Sequence, residues 1–479
     1  MKELSHPQGF EPYKYQLKAI RKGINMRRFI NGDDMGLGKT LESIATIEAL
    51  QAHPALIICP ASVKINWKEE IEAWTNHGAL ILNNKHVHSW HFYMHPQFMG
   101  GMFYGQFKYF IVNYDSLKKF FVYKYLKPKP KLKDIVFNPY IRYIKTVVVD
   151  EAHLVNNPDS QRTKLVAGLS HKKENIMLLT GTPIVNSEKD LIAPLAIMDR
   201  MHEFGDRFAF AETYKDGNNT AALQSKLSRF YFRREKKDVL LEMPDKFRSV
   251  LKIPITTATE YNLAVDDLEA YFRTFTNKNE FEIDRSMRGK AMVLVATLKR
   301  ISAIGKIQGI KEVVKNILIH NQKVILFMDR LELIAEFKNI FPQAVTITGA
   351  DNIRARRSAQ RKFQEDPNCQ IIICSIKAAG VGLNLMAADN VLFVEYWWTY
   401  ATMVQCEDRA YRNGRKDNVN CIWTEGNGTI DYYIRSVIFG KKDLLEKATG
   451  AKDYTVEKSQ DLLLKELMIN INKLKLVNT

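Results

Sequence analysis

With 479 residues, the chain is too long for one simple domain and suits two or three. Hydrophobic residues make up 46% and charged residues 26%, a globular mix that excludes disordered, collagenous and low-complexity chains. The formal net charge of +17 and the pI near 9.4 point to a polyanionic partner, nucleic acid or an acidic membrane surface, without choosing between them.

No run approaches the roughly eighteen apolar residues that a membrane span needs. The N-terminal MKELSHPQGFEPYKYQ has no apolar core for a signal peptide. A soluble, unsecreted chain is the expectation, cytoplasmic in a bacterium or virus-infected cell and nuclear in a eukaryote. The cysteines (Cys59, Cys369, Cys374, Cys406, Cys421) form no CxxC pair, which favours reduced thiols over a zinc knuckle.

In chain order, short β-rich runs come first at 55–60 (ALIICP), 109–114 (YFIVNY), 146–153 (TVVVDEAH) and 176–183 (IMLLTGTP). Residues 187–320 are mostly helical in pattern and offer no convincing strand. A second set follows at 323–328 (KVILFM), 344–349 (AVTITG), 370–375 (QIIICS), 390–398 (NVLFVEYWW) and 419–424 (VNCIWT). Unbroken Val/Ile runs suit strands buried on both faces, so two sets predict two parallel α/β lobes. The tail, 451–479, places Leu463, Leu464, Leu467, Ile471 and Leu474 at helical spacing, as in a helix packed on the second lobe or one that binds a partner.

The chemistry begins at DDMGLGKT (33–40), just before an amphipathic stretch. Here Asp34, Met35, Gly36, Leu37 and Gly38 can turn amides toward a phosphate. Lys39 can hold the β and γ phosphates, and Thr40 can bind Mg²⁺. The strict GxxxxGK[ST] pattern is broken, because Asp33 stands where the first Gly belongs. DEAH (150–153) closes a strand, so Asp150 can hold Mg²⁺ and Glu151 can orient the attacking water. His153, with Thr180 and Thr182 in LLTGTP, is the expected coupling group. In the second set, AAGVGLNL (378–385) supplies Gly382 to the nucleotide. QCEDRAYRNGR (405–415) sets Gln405, Asp408, Arg409 and Arg412 on one helical face. Arg409 and Arg412 would then meet ATP as arginine fingers, with Gln405 in a coupling role.

This ordered set resembles the Swi/Snf-type family of superfamily-two helicase-like ATPases, over about residues 10–440. YKYQLKAI (13–20) resembles the family's glutamine element, which implies that Gln16 reads the adenine. IICPASVKINWKEEI (57–71) and IVNYDSLKK (111–119) are similar to its next elements, and FRREKKDVLLEMPDK (232–246) is the most specific match. ITGADNIRARRSAQRKFQED (347–366) and RNG (412–414) complete the resemblance. It implies DNA contacts at Ser62, Lys64, Arg356 and Ser375. The chain departs from the family at Arg415, where Gln is usual after RxG, at Trp398-Thr399-Tyr400, and at Asn156-Asn157 after the DEAH.

The resemblance implies an α/β fold of two RecA-like parallel-sheet lobes in tandem with helical insertions. The first lobe is expected at 1–243 with a helical protrusion at about 187–240. The second is expected at 244–450 with a helical insertion at about 250–300. The implied activity is a DNA-stimulated ATPase, acting as a monomer, that uses ATP and Mg²⁺ to move on double-stranded DNA without membrane association. Compact length suggests a bacterial or phage member acting in repair, recombination or replication. The rivals are a strand-separating DNA or RNA helicase and an inactive DNA-binding scaffold.

Two further features stay open. Residues 121–146 hold seven Lys or Arg against one Asp, as in a DNA-touching loop or a solvated one. HVHSWHFYMH (86–95) has four His but no Cys, Asp or Glu among them, and reads as a loop rich in aromatics in preference to a metal cluster.

Overall fold

Parallel strands are covered by helices on both faces, so their side chains have no solvent face to alternate toward. In the computed structural model, β2 (Ala55–Cys59), β7 (Thr146–Asp150) and β8 (Asn175–Leu179) follow this rule. Every residue in them is buried except Asp150 at its strand's end. Burying each Ile, Leu or Val there contributes about 1.5–3 kcal/mol. The structure describes residues 11–94, 107–181, 188–214, 219–240, 243–276, 290–379, 383–436 and 438–439. The expected tail helix at 451–479 lies outside the described residues. The chain divides into two compact units, Met1–Leu241 and Glu242–Thr479.

In the first unit, a seven-stranded sheet adds β1 (Arg28–Asn31), β3 (Gly78–Ile81), β4 (Phe107–Asn113) and β9 (Tyr231–Phe232) to those three strands. Its order is β3-β4-β2-β7-β8-β1-β9, and every neighbouring pair is parallel. The chain leaves β1, crosses over β8 and β7, and enters β2. The C-terminal ends of β7, β8 and β1 therefore stand side by side, the crevice in which open α/β sheets bind ligands. Helices α1 (Lys14–Met26), α2 (Lys39–Leu50) and α3 (Lys64–Trp74) precede or follow these strands. Apart from the main sheet, β5 (Val122–Tyr125) and β6 (Ile135–Phe137) form an antiparallel hairpin.

The second unit holds β10 (Lys246–Ile253), β11 (Val324–Met328), β12 (Val345–Ile347), β13 (Ile371–Ser375), β14 (Asn390–Phe393) and β15 (Val419–Gly426). Their order is β10-β15-β14-β11-β13-β12, again parallel throughout. The chain is thus an α/β protein with two parallel-sheet lobes in tandem.

Among the described residues, the stretch expected to lack strands contains two. β10 is eight residues long and pairs along its whole length with β15. Its sequence KFRSVLKI is charged and mostly exposed, as a sheet edge must be, so an apolar-run search passes over it. The expected helical insertion at about 250–300 therefore begins as strand, and its helices are Ala258–Asp266, Leu268–Phe275 and Lys290–Gly305. Likewise, the expected protrusion at about 187–240 holds helices Ile192–Ile197, Arg207–Thr213 and Thr220–Leu227, but its end returns to the sheet as β9 beside β1. All five cysteine thiols are buried and unbridged. Among the described residues, no helix is long and apolar enough to cross a membrane.

Candidate nucleotide-binding site

The loop between β1 and α2 turns on two glycines with left-handed backbone, Gly36 (φ 86°) and Gly38 (φ 88°). A Cβ on Gly38 would lie 2.2 Å from the Gln16 side-chain nitrogen, so only glycine fits this crossing of α1 and the loop. Gln16 is buried; its Nε2 donates to the Leu37 carbonyl (3.0 Å) and its Oε1 accepts from the Tyr13 amide (3.0 Å). Lys39 opens α2, and its Nζ donates to the carbonyls of Asp33 (2.6 Å) and Asp34 (3.2 Å). The ammonium is thereby held against the loop. Asp34, Met35, Lys39 and Thr40 are half-buried, Leu37 is buried and Gly36 is exposed.

Asp150 stands at the end of β7, two strands away from β1. Its Oδ2 accepts from the Trp67 indole (2.8 Å) and its Oδ1 from the Glu151 amide (3.0 Å). Its backbone carbonyl accepts from the Tyr114 hydroxyl. Burial and the adjacent Glu151 push the Asp150 carboxyl up to about 6, while the Trp67 hydrogen bond and Lys39 pull the other way. Glu151 takes a left-handed conformation (φ 54°, ψ 52°), and its Oε2 lies 3.4 Å from His153 Nδ1. Thr180, just past β8, is buried and bonds to the Asn31 carbonyl (3.0 Å). The phosphate loop, the carboxylates and Thr180 thus follow three adjacent strands. Thr182 and Gly382 lie outside the described residues.

Two residues with no role in the sequence reading brace the loop from behind. Arg234 bonds bidentately to Asp33, reaches Glu42 (2.6 Å) and donates to the Tyr15 carbonyl. Arg233 donates to Asp34 Oδ1 (2.9 Å) and to the Gly181 carbonyl (3.0 Å). Asp33 is fully buried, so the residue that breaks the strict glycine pattern is an anchor for Arg234. Burial holds the Glu42 carboxyl above its ordinary range, Asp33 adds to this, and Arg234 opposes it. The family-specific RREKKDV stretch signalled this region without indicating what it touches; nothing local in the sequence pointed to Trp67 or Tyr114.

In the second unit, the arginines do not share a helical face. The helix Tyr400–Glu407 ends before them, capped at its start by Thr399. Arg409 and Ala410 then bond three residues back, to Cys406 (3.1 Å) and Glu407 (3.1 Å), which tightens the chain into turns. Arg409 is buried, with Nη1 at the edge of hydrogen-bonding range of the Leu383 carbonyl (3.5 Å). Arg412 is half-buried and donates from Nε to the Asp408 carbonyl (3.2 Å). Gln405 is half-buried on the helix.

Beneath these groups lies Glu407, fully buried, which Arg248 grips with a bidentate pair (2.9 and 2.7 Å) and Lys246 approaches at 3.0 Å. Burial works against the Glu407 charge, yet the two cations of β10 hold its carboxyl below the ordinary range. Arg415, at the position where the family usually has Gln, is buried against the Asp389 carboxylate (3.0 Å) and the carbonyls of Met386, Asp417 and Asn418.

The expected DNA contacts fall in both units. Ser62 is half-buried before α3, and Lys64 Nζ donates to Asn113 Oδ1 (3.3 Å). Arg356 is half-buried on the helix Ile353–Glu365 and donates to the Gly349 carbonyl (3.1 Å). Ser375 is buried, and its hydroxyl accepts from the Ala378 amide (3.2 Å). The β5–β6 hairpin exposes Lys124, Lys127, Lys129, Lys131 and Lys133 beside Tyr123. In the 86–95 segment, His86 Nδ1 accepts from the Asn83 amide (3.1 Å) and His91 stacks on Tyr140; His95 lies outside the described residues.

The first unit's residues fit a magnesium nucleotide. The loop amides at the start of a twelve-residue helix suit phosphate, and the left-handed Gly36 and Gly38 let the backbone turn those amides outward. Thr40 and Asp150 are hard oxygen donors of the kind Mg²⁺ takes.

A family model described as "SNF2-related domain" matches residues 20–309, and one described as "Helicase conserved C-terminal domain" matches residues 305–414. The "DNA annealing helicase and endonuclease ZRANB3" of Homo sapiens is 26% identical over 467 residues, covering 89% of this chain and 40% of its own length. An "Uncharacterized ATP-dependent helicase" of Mycoplasma pneumoniae is 27% identical over 473 residues, covering 90% of this chain and 42% of its own length. The chain spans about two-fifths of the length of these curated relatives. Among solved structures, the "Sulfolobus solfataricus SWI2/SNF2 ATPase core in complex with dsDNA" is similar at 25% identity and a TM-score of 0.41, covering 97% of this chain and 99% of that one.

Proposed function

Since this chain belongs to the SNF2-related domain family, we propose that it is an ATP-hydrolysing motor that moves on double-stranded DNA without separating the strands. The observation that carries the reading is the convergence of Lys39, Asp150 and Thr180 at the ends of three adjacent strands. A strand-end carboxylate held in place by an indole donor beside a glycine loop is what a Mg²⁺-nucleotide site needs and a scaffold does not.

In this reading, Lys39 leaves the carbonyls of Asp33 and Asp34 and holds the β and γ phosphates, while Gln16 reads the adenine. Thr40 and Asp150 hold Mg²⁺, which when bound offsets phosphate charge. Glu151 orients the attacking water and accepts its proton at the carboxylate, with His153 steadying Glu151. Gly382 meets the nucleotide, and His153, Thr180, Thr182 and Gln405 couple its state to movement. Arg412 and Arg409 supply positive charge to the γ phosphate in the transition state. Ser62, Lys64 and Arg356 contact the phosphate backbone, which fixes register without reading sequence. The name of the human relative, a DNA annealing helicase, agrees with a motor on duplex DNA and with a setting in repair, recombination or replication.

Phosphate release measured with duplex DNA, single strands and RNA tests this. Duplex should stimulate most, and the protein should displace a third strand from a triplex. Unwinding of a blunt duplex would favour the strand-separating helicase, and no hydrolysis on any nucleic acid would favour the scaffold.

A further inference from the structure

At the far end of α2 from the phosphate loop, three side chains close on one point. Glu48 lies in the last turn of α2, His53 in the turn leading to β2, and His77 in the turn leading to β3. His53 Nε2 is 3.3 Å from Glu48 Oε1, and His77 Nε2 is 3.4 Å from Glu48 Oε2. One ligand atom from each of the three lies within 4.8 Å of the others. The imidazoles meet edge to face, with centroids 5.2 Å apart.

We propose that Glu48, His53 and His77 bind one Zn²⁺ ion, a site separate from the nucleotide chemistry. Tetrahedral zinc takes His nitrogen and carboxylate oxygen at about 2.0–2.2 Å, which makes the edges of the tetrahedron roughly 3.3–3.5 Å. The two His–Glu separations already have that length. The ion takes the carboxylate through both oxygens or, after a small turn of the side chain, through one. Two imidazoles and one carboxylate are a borderline set that suits zinc and disfavours Mg²⁺, which prefers oxygen alone. The His77 side chain is 32% exposed, so water can fill the remaining position.

An outer partner of the carboxylate supports the ligand set. Tyr109 on β4 donates its hydroxyl to Glu48 Oε1 (2.6 Å), the kind of bond that orients a metal-binding carboxylate. His53 Nδ1 is buried with no hydrogen-bond partner among the described residues, so the polar contact that orients the ring is on its Nε2 side. The strands of this sheet are parallel, and His53 and His77 precede β2 and β3. They therefore lie at the edge opposite to Asp150 and Thr180. Nine residues of helix separate Lys39 from Glu48, roughly 13 Å at 1.5 Å per residue. A zinc ion here would tie α2 to the entries of β2 and β3, behind the phosphate loop.

Titration of the whole chain with Co²⁺, after chelation and in Mg²⁺-free buffer, tests the site. The expected result is one Co²⁺ per chain with the visible absorption of a tetrahedral centre, displaced by Zn²⁺. His77→Gln should weaken binding by about 10–100-fold or more, while His86→Gln, in the neighbouring segment, should leave it unchanged. At a hundredfold excess over its Kd, Zn²⁺ should raise the wild-type Tm by on the order of 5 °C and leave that of His77→Gln unmoved. Should His77→Gln fold poorly without metal, Glu48→Gln serves in its place. No visible band, or a band that survives both substitutions, would mean a hydrogen-bonded His–Glu–His trio and no metal site. Duplex-stimulated hydrolysis is read separately and does not depend on this outcome.

Discussion

The phosphate loop of the first unit and the arginine turn of the second carry charge in opposite ways. In the first, backbone geometry places the groups: strand ends, two left-handed glycines and the start of a helix. In the second, a buried ion-pair core places them. Glu407 is gripped by Arg248 and Lys246 from β10, and Arg409 and Arg412 lie on turns immediately after it. A site for ground-state binding can be built from amides that are always present. In the proposed reading, the arginine turn acts on the transition state and so has to be held rigidly, and buried charge does that at some risk to stability.

Lys39→Ala breaks the first half of the comparison most severely. Turnover should fall by at least about 10²–10³-fold, with duplex affinity nearly unchanged. Steady-state hydrolysis and DNA titration check this, and wild-type turnover would remove Lys39 from the site. Arg412→Ala should lower kcat by about 10³-fold or less.

Glu407→Ala sharpens the second half. It removes the carboxylate that Arg248 grips and leaves Lys246 with Asp408 (3.2 Å), and the second unit should lose about 3–5 kcal/mol by denaturant titration. An unchanged midpoint would show that the ion-pair core is not what holds the turn. Trp67→Phe removes the indole donor to Asp150 and should slow turnover about tenfold, with more Mg²⁺ needed for half-maximal rate. Unchanged Mg²⁺ dependence would mean that the indole does not position the carboxylate. The smallest effect is expected at the hairpin. Replacing Lys127 and Lys129 with Ala should make the salt dependence of duplex binding shallower, by roughly 0.9 in log–log slope for each phosphate that is no longer neutralised. No change in slope would assign the hairpin to solvent.

The two regions also differ in how far the sequence reveals them. GLGKT, DEAH and TGT are legible because each is a local backbone device beside an apolar run. The strands buried on both faces are legible for the same reason. β10 is hidden because a charged edge strand has no apolar run, and β9 because it has two residues. The partners of the site are hidden by distance along the chain: Trp67 and Asp150 are 83 residues apart, and Arg234 and Asp33 are 201. Spacing suggested a helical face for Arg409 and Arg412, but it could not show that the helix stops at Glu407.

The most direct test of this division of labour pairs fluorescent-nucleotide binding with steady-state hydrolysis at saturating duplex, in Lys39→Ala and Arg412→Ala side by side. The expected result is that Arg412→Ala binds nucleotide as the wild type does and hydrolyses it slowly, while Lys39→Ala loses turnover and weakens binding. Wild-type turnover in Arg412→Ala, or a loss of nucleotide binding as large as that of Lys39→Ala, would contradict it.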